Sequence, residues 1–434
     1  VTKRRGLAIV AVVLSVAAIV FAFIPPSDAR FREYVTQLRA AGRPTSEAEL
    51  LGPEPDPQDN AADAVMEANA VQSAAHAANV GPRRGDADPN WSWLGSATAD
   101  EVREVGVFLD GVDPFFDRLD AASRRGHLQV PLSGELIVSD PLVSALQTTN
   151  ALFYARAIAG TTAEKRLRSI ETKMRLSSLC RGVMIQRMVG AAMRTSAVGD
   201  LRRAFERGDI DAAGGRGRFD LLLAEPLLPT FRDTAHTELA AQVRMFEALL
   251  DGATFKGDDG TMGYQPGHNL VGRTVLGIWG NRGTTVGSPA DWVNACRFLE
   301  ELATLSPDSY PTLRRAIVSR IDALPEFAAA RAIAIPFPKI AEMLARADAV
   351  TRLARIALAA AEHRATHGDF PASLTDLKWA FPDGVPLDPF TDAPFVYART
   401  ATGVRVSSAG RLAEEAPLDD ATLRTRCLVW ELKR

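Results

Sequence analysis

Between Ile340 and Ala361 the residues Ile340, Met343, Leu344, Ala347, Val350, Ala354, Ala357, Leu358 and Ala361 return at steps of three and four. That is the period of one face of an α-helix. Arg346, Asp348, Arg352, Arg355 and Glu362 lie mostly off the stripe. A long helix of this kind must bury its apolar face, so the rest of the chain has to supply something to pack on it. Gly368, directly after His367, can take the left-handed conformation that stops a helix. Pro371 then sets up a short new turn through Ser373-Leu374-Thr375-Asp376-Leu377, and Pro386-Leu387-Asp388-Pro389-Phe390 predicts a tight reversal. Phe395-Val396-Tyr397 and Val404-Arg405-Val406-Ser407 read as short strands joined near Gly403. Leu428, Trp430 and Leu432 alternate with polar or smaller neighbours and predict a terminal strand added to the same small sheet.

The order of these pieces resembles the C-terminal part of the type II secretion major pseudopilins. The matching segments are Gly368-Asp369-Phe370-Pro371, Ser373-Leu374-Thr375-Asp376-Leu377, Asp388-Pro389-Phe390, Phe395-Val396-Tyr397 and Ser408-Ala409-Gly410, about a sixth of the 434-residue chain. The resemblance implies a small α+β module and a place in a secretion or pilus-like assembly. Two departures limit it. Ala11 stands where the family has a Glu in its N-terminal apolar run. Arg411-Leu412-Ala413 follows Gly410 in place of the Asp-Gly of the family's calcium loop, so Glu414, Glu415, Asp419 and Asp420 read as a solvated acidic loop. The order of pieces along the whole chain is also similar to that of membrane-anchored proteins of planctomycete-type bacteria, a similarity that implies no activity.

Lys3, Arg4 and Arg5 precede Leu7–Ile24, in which Ser15 is the only polar residue. At about 1.5 Å per residue such a run nearly spans a hydrocarbon core. The basic cluster predicts a signal anchor in the cytoplasmic (inner) membrane, with the bulk of the chain on the periplasmic side. Its partner would be the lipid bilayer. The alternative is a cleaved signal, for which Ser27-Asp28-Ala29 offers a small-x-small site.

The predicted organisation is a cytoplasmic tip and anchor over 1–29, an exported α-helical domain over 30–338 and the pseudopilin-like module over 339–434. The fold class is therefore mainly α with a small C-terminal α+β module and one N-terminal transmembrane helix. Phe31, Tyr34, Val35 and Leu38 mark an amphipathic helix ending near Gly42-Arg43-Pro44. Helices are then expected over Ala61–Asn79, Glu101–Arg124, Pro141–Ala159, Thr162–Val198, Phe219–Leu250, Pro289–Leu305 and Pro311–Ile333. Trp91 and Trp93 are expected to cap the core.

A net charge of −3 gives no electrostatic case for nucleic acid. Three cysteines, Cys180, Cys296 and Cys427, make neither a disulfide framework nor a zinc spacing. His363 and His367 share a helix face beside Glu362, but Arg364 occupies the position where a zinc protease motif has Glu, so they read as exposed helix-end histidines. No Gly-x-Ser-x-Gly elbow is present. The Arg-rich run Arg166–Arg194 reads as a solvated helix face, with an anionic lipid surface as the alternative. The Gly-rich segment Gly257–Ser288 is the best candidate loop for a ligand, with His268, Asn269 and Arg273 as the residues to bind it. It lacks the Gly-Lys-Ser/Thr ending of a nucleotide-binding loop. No catalytic residue, metal or cofactor is assigned. The expected function is a non-enzymatic envelope scaffold or partner-binding protein. The alternatives are a component of a type II secretion or pilus-like system, and an enzyme built on the Gly257–Ser288 loop.

Overall fold

The computed structural model describes residues 27–46, 49, 55–56, 59–78, 91–129, 141–181, 184–251, 254–257, 260–263, 289–324, 329–408, 410 and 428–433. The apolar run Leu7–Ile24 lies outside them, and no helix among the described residues is long and apolar enough to cross a membrane. The chain is mainly helical with a small antiparallel sheet at its C-terminal end.

The helices are α1 (Ser27–Ala40), α2 (Ala62–Met66), α3 (Ala68–Ala77), α4 (Ala99–Gly111), α5 (Asp113–Ser123), α6 (Pro141–Ala159) and α7 (Ala163–Leu179), then α8 (Met184–Arg207), α9 (Ala212–Ala224), α10 (Phe231–Leu250), α11 (Pro289–Ala303), α12 (Tyr310–Asp322), α13 (Ala329–Ala334) and α14 (Phe337–His367). Local chemistry sets several of the starts. Thr98 and Glu101 close a capping box on α4, Thr162 caps α7, Asp211 caps α9 and Ser309 caps α12.

The helix expected over Pro141–Ala159 is α6 with the same bounds. Other expected helices are broken. Thr162–Val198 is two helices that reverse at Cys180. Gly190 permits the reversal, since a Cβ there would sit 2.7 Å from the Cys180 Cβ and 2.9 Å from the Ser177 carbonyl. Phe219–Leu250 is broken after Ala224, where Pro226 follows Glu225, and Glu101–Arg124 at Asp113-Pro114. Ala61–Asn79 divides at Glu67, and Pro311–Ile333 becomes α12 and α13. In each case a buried stripe continues on both sides of the break, so the apolar period alone runs straight through it.

α14 is the central element. It packs on α8, α9 and α12 on the helical side and on the C-terminal sheet on the other. Its stripe is buried apart from Met343, Val350 and Ala361, which are half-buried, and Asp348 and Thr351 are buried with it. Asp348 was expected to lie off the stripe; it is 1 % exposed. Gly368 ends α14 at φ 82°, donating its N–H to the Arg364 carbonyl. A 3₁₀ turn over Leu374–Ala380 follows, boxed by Ser373 and Asp376.

The sheet strands are β3 (Leu387–Asp388), paired with β4 (Ala393–Pro394), and the ladder of β5 (Val396–Thr400), β6 (Gly403–Ser408) and β7 (Leu428–Lys433) in that order, all antiparallel. Val406 sits between Tyr397 and Trp430. Gly403 is obligatory, because a Cβ there would lie 1.8 Å from the Leu432 carbonyl oxygen. Earlier in the chain, β1 (Thr254–Gly257) and β2 (Gly260–Gly263) form a separate hairpin at the start of the Gly-rich segment.

Two apolar clusters result. One surrounds α14 and takes in α1, α7 to α13 and the sheet. The other holds α2 to α6 and reaches Leu176, Cys180, Val189 and Met193 at the α7–α8 bend. Trp91 belongs to the second and donates its indole N–H to Gln72 at 2.9 Å, which is the expected core-capping role.

Candidate functional site

Most of the basic residues of the Arg-rich stretch are paired or buried, where a solvated face was expected. Lys165, Arg168, Thr172 and Arg175 form one stripe of α7, at steps of three and four. Asp113, Asp117 and Asp120 form the matching stripe of α5, with Asp110 at the end of α4. Lys165 reaches Asp110 and Asp113 at 2.8 Å each, Arg168 reaches Asp117 and Asp120 at 2.8 Å each, and Arg175 reaches Asp120 at 3.0 Å. Arg156 joins from α6, paired with Asp113 at 2.5 Å and lying 3.9 Å over the Phe116 ring. Burial disfavours the Asp120 carboxylate. Its hydrogen bonds from Arg168, Arg124 and Thr172 outweigh that and hold it below the ordinary carboxyl range.

Deeper in, Lys173 of α7 and Asp200 of α8 are both wholly buried and lie 3.0 Å apart, with Ser196 accepting from Lys173 at 2.6 Å. Burial pulls the Lys173 ammonium down against the pull of Asp200. Arg194 ties the α7–α8 bend to the end of α9, donating to Ser177 at 2.7 Å and to the Leu222 carbonyl at 2.6 Å. Asp348 accepts the backbone N–H groups of Leu227 at 2.5 Å and Leu228 at 3.0 Å, which satisfies donors ahead of α10. These charges bind one another or the backbone. Their geometry serves packing.

A different arrangement occurs between α1 and α11. The apolar face of α1, Phe31, Tyr34, Val35 and Leu38, is buried. Phe31 stands edge-on to Phe246 and to Trp292, which stack on each other at 4.7 Å. Arg32–Asp251 and Arg39–Glu247, each 2.9 Å, fasten α1 to the end of α10. The polar side of α1 opens into a groove of about 490 Å³ lined by Arg30, Glu33, Tyr34, Gln37, Val293, Asn294 and Arg297. The Tyr34 hydroxyl donates to Glu300 at 2.5 Å, and the Arg297 guanidinium lies 5.6 Å from the Tyr34 ring centre. Burial, and then the Glu300 carboxylate that accepts its proton, push Tyr34 well above the ordinary phenol value, so it stays a fixed neutral donor. Among the described residues Arg30 and Arg297 form no ion pair, whereas Arg32, Arg39 and Arg43 on the same segment all do.

The sequence-predicted ligand residues His268, Asn269 and Arg273 lie outside the described residues, as does most of Gly257–Ser288. His363 is half-buried and His367 exposed; their rings stack at 4.2 Å, each with a ring nitrogen near a backbone carbonyl. Among the described residues no group of three His, Cys, Asp or Glu side chains is arranged to hold a metal. Cys180 and Cys296 are buried free thiols, and burial raises both, Cys180 to about 12. Sequence reasoning missed Arg30 and Arg297. The three-and-four spacing of Arg30, Glu33 and Gln37 along the flank of the apolar stripe of α1 was the available signal.

No protein-family model matches the chain, and neither a curated protein nor a solved structure matches it.

Proposed function

We propose that this protein is a membrane-anchored envelope protein whose helical body acts as a rigid, non-catalytic scaffold on the periplasmic face of the cytoplasmic membrane. The observation that carries this reading is the seating of α1. The apolar run Leu7–Ile24 ends three residues before α1 begins at Ser27, and α1 is built into the main core through Phe31, Tyr34, Val35 and Leu38. An anchor joined to such a helix holds the body at a set distance from the bilayer, unlike one on a slack tether. The internal pairing of the charged groups on α5, α7 and α8 supports a structural role for that body.

A second reading, a component of a type II secretion or pilus-like system, is favoured by the C-terminal module. The Gly368 helix stop, the Leu374–Ala380 turn, the reversal at Asp388 and the start of β5 overlap the segments that carry the pseudopilin resemblance. One experiment separates the two readings: crosslinking of the full-length tagged protein in cells, then alkaline washing of membranes and mass spectrometry. The scaffold reading expects the protein to stay with the membrane, linked to envelope partners through the helical body. Links from 339–410 to secretion components would replace it with the second reading. Recovery in the wash would remove the anchor.

A further inference from the structure

The α1–α11 groove is built differently from every other charged seam described above, and its chemistry is specific. Arg30, Glu33 and Gln37 project from one stripe of α1, and Asn294 and Arg297 from α11, into a single groove. The two guanidiniums are planar donors suited to phosphate oxygens. The Asn294 amide adds a neutral donor, and the Glu33 carboxylate, which accepts from the Gln37 amide at 3.4 Å, supplies one anion suited to an ammonium group. With the ring of Tyr34 fixed by its bond to Glu300, Arg297 has a rigid surface to lie on. Arg30 stands six residues beyond the end of the apolar run at Ile24.

We propose that this groove binds the headgroup of an amine-bearing phospholipid, with the phosphate held by Arg30 and Arg297 and the ammonium by Glu33. This rests on the membrane-anchored reading, which supplies the lipid at that end of α1. The same headgroup chemistry is carried by a soluble phosphomonoester, so the test must distinguish the two sources.

The test uses the full-length protein in phosphate-free detergent, titrated calorimetrically with dihexanoyl phosphatidylethanolamine, O-phosphoethanolamine and dihexanoylglycerol. The expected result is saturable binding of the phospholipid and none of the uncharged glyceride. Arg30→Gln with Arg297→Gln should weaken the phospholipid roughly tenfold or more. Arg32→Gln, whose partner is Asp251, should leave it within about twofold. Glu33→Gln should weaken phosphatidylethanolamine and spare dihexanoyl phosphatidic acid. An unfolding midpoint unchanged in the double variant guards against loss of fold. Binding of O-phosphoethanolamine without the phospholipid, equal binding by the double variant, or no binding by the wild type would each overturn the proposal. Membrane fractionation of the wild type separates its failure from that of the anchor. A membrane-held protein that ignores the headgroup loses only the groove site, and a soluble protein that binds it loses only the anchor.

Discussion

Two pairs of helices in this protein carry arginine on a shared seam, and they use it in opposite ways. Between α5 and α7 every basic residue of the stripe meets an aspartate, and Asp120 alone is engaged by Arg124, Arg168 and Arg175. Between α1 and α11, Arg32 and Arg39 pair toward the end of α10 and Arg43 pairs with Glu300 of α11, while Arg30 and Arg297 line an open groove with no ion pair among the described residues. Charge that is neutralised locally fixes helices against each other. Charge left open on a rigid surface is available to a ligand.

The sharpest way to break this comparison is to attack the buried end of the paired network. Lys173→Met leaves Asp200 wholly buried with only Arg203 to answer it, and should cost about 3–5 kcal/mol in urea unfolding. Adding Asp200→Leu should restore much of that loss. A single variant as stable as wild type would mean that the pair does not hold α7 to α8.

Asp348→Ala comes next. It strands two buried N–H donors at Leu227 and Leu228 and should cost about 2–3 kcal/mol by the same assay. Gly190→Ala should cost about 1–3 kcal/mol, because neither the Ser177 carbonyl nor the Cys180 Cβ can move away cheaply.

The paired seam should also show itself in acid. Asp120 and Asp110 have native values lowered below the ordinary 3.8. Their contribution is complete above that value and is lost as pH falls through the lowered native values. Asp348 is raised by burial and runs the other way, so protonating it relieves a cost. Asp120→Asn should therefore flatten the loss of stability below about pH 4, as followed by circular dichroism. A slope identical to wild type would remove Asp120 from the network.

The smallest effect is expected at the groove. Arg30→Gln with Arg297→Gln should change stability by no more than about 0.5 kcal/mol.

These contrasts also explain what the sequence could and could not reveal. The α14 stripe, the Gly368 stop and the small sheet were readable because local period and turn chemistry decide them. α6 was readable down to its bounds. The burial of Asp348, Lys173 and Arg194 was not, since hydropathy assigns a charge to the surface unless its partner is known. Those partners are remote: Arg168 meets Asp120 at a separation of 48 residues, and Asp348 meets Leu227 at 121. The same blindness made the Arg166–Arg194 run look solvated. Half of the groove was visible, because Arg30, Glu33 and Gln37 share a stripe. The other half was not, because α11 reaches α1 across a separation of 266 residues, as the Tyr34–Glu300 bond records.

The most direct test of the contrast between the two seams is one urea unfolding series on three full-length proteins: wild type, Lys173→Met, and Arg30→Gln with Arg297→Gln. The expected result is a large drop in midpoint for Lys173→Met and a wild-type midpoint for the groove double variant. A groove variant as unstable as Lys173→Met would contradict it, since Arg30 and Arg297 would then belong to the fold and the groove would have no charge to offer a ligand.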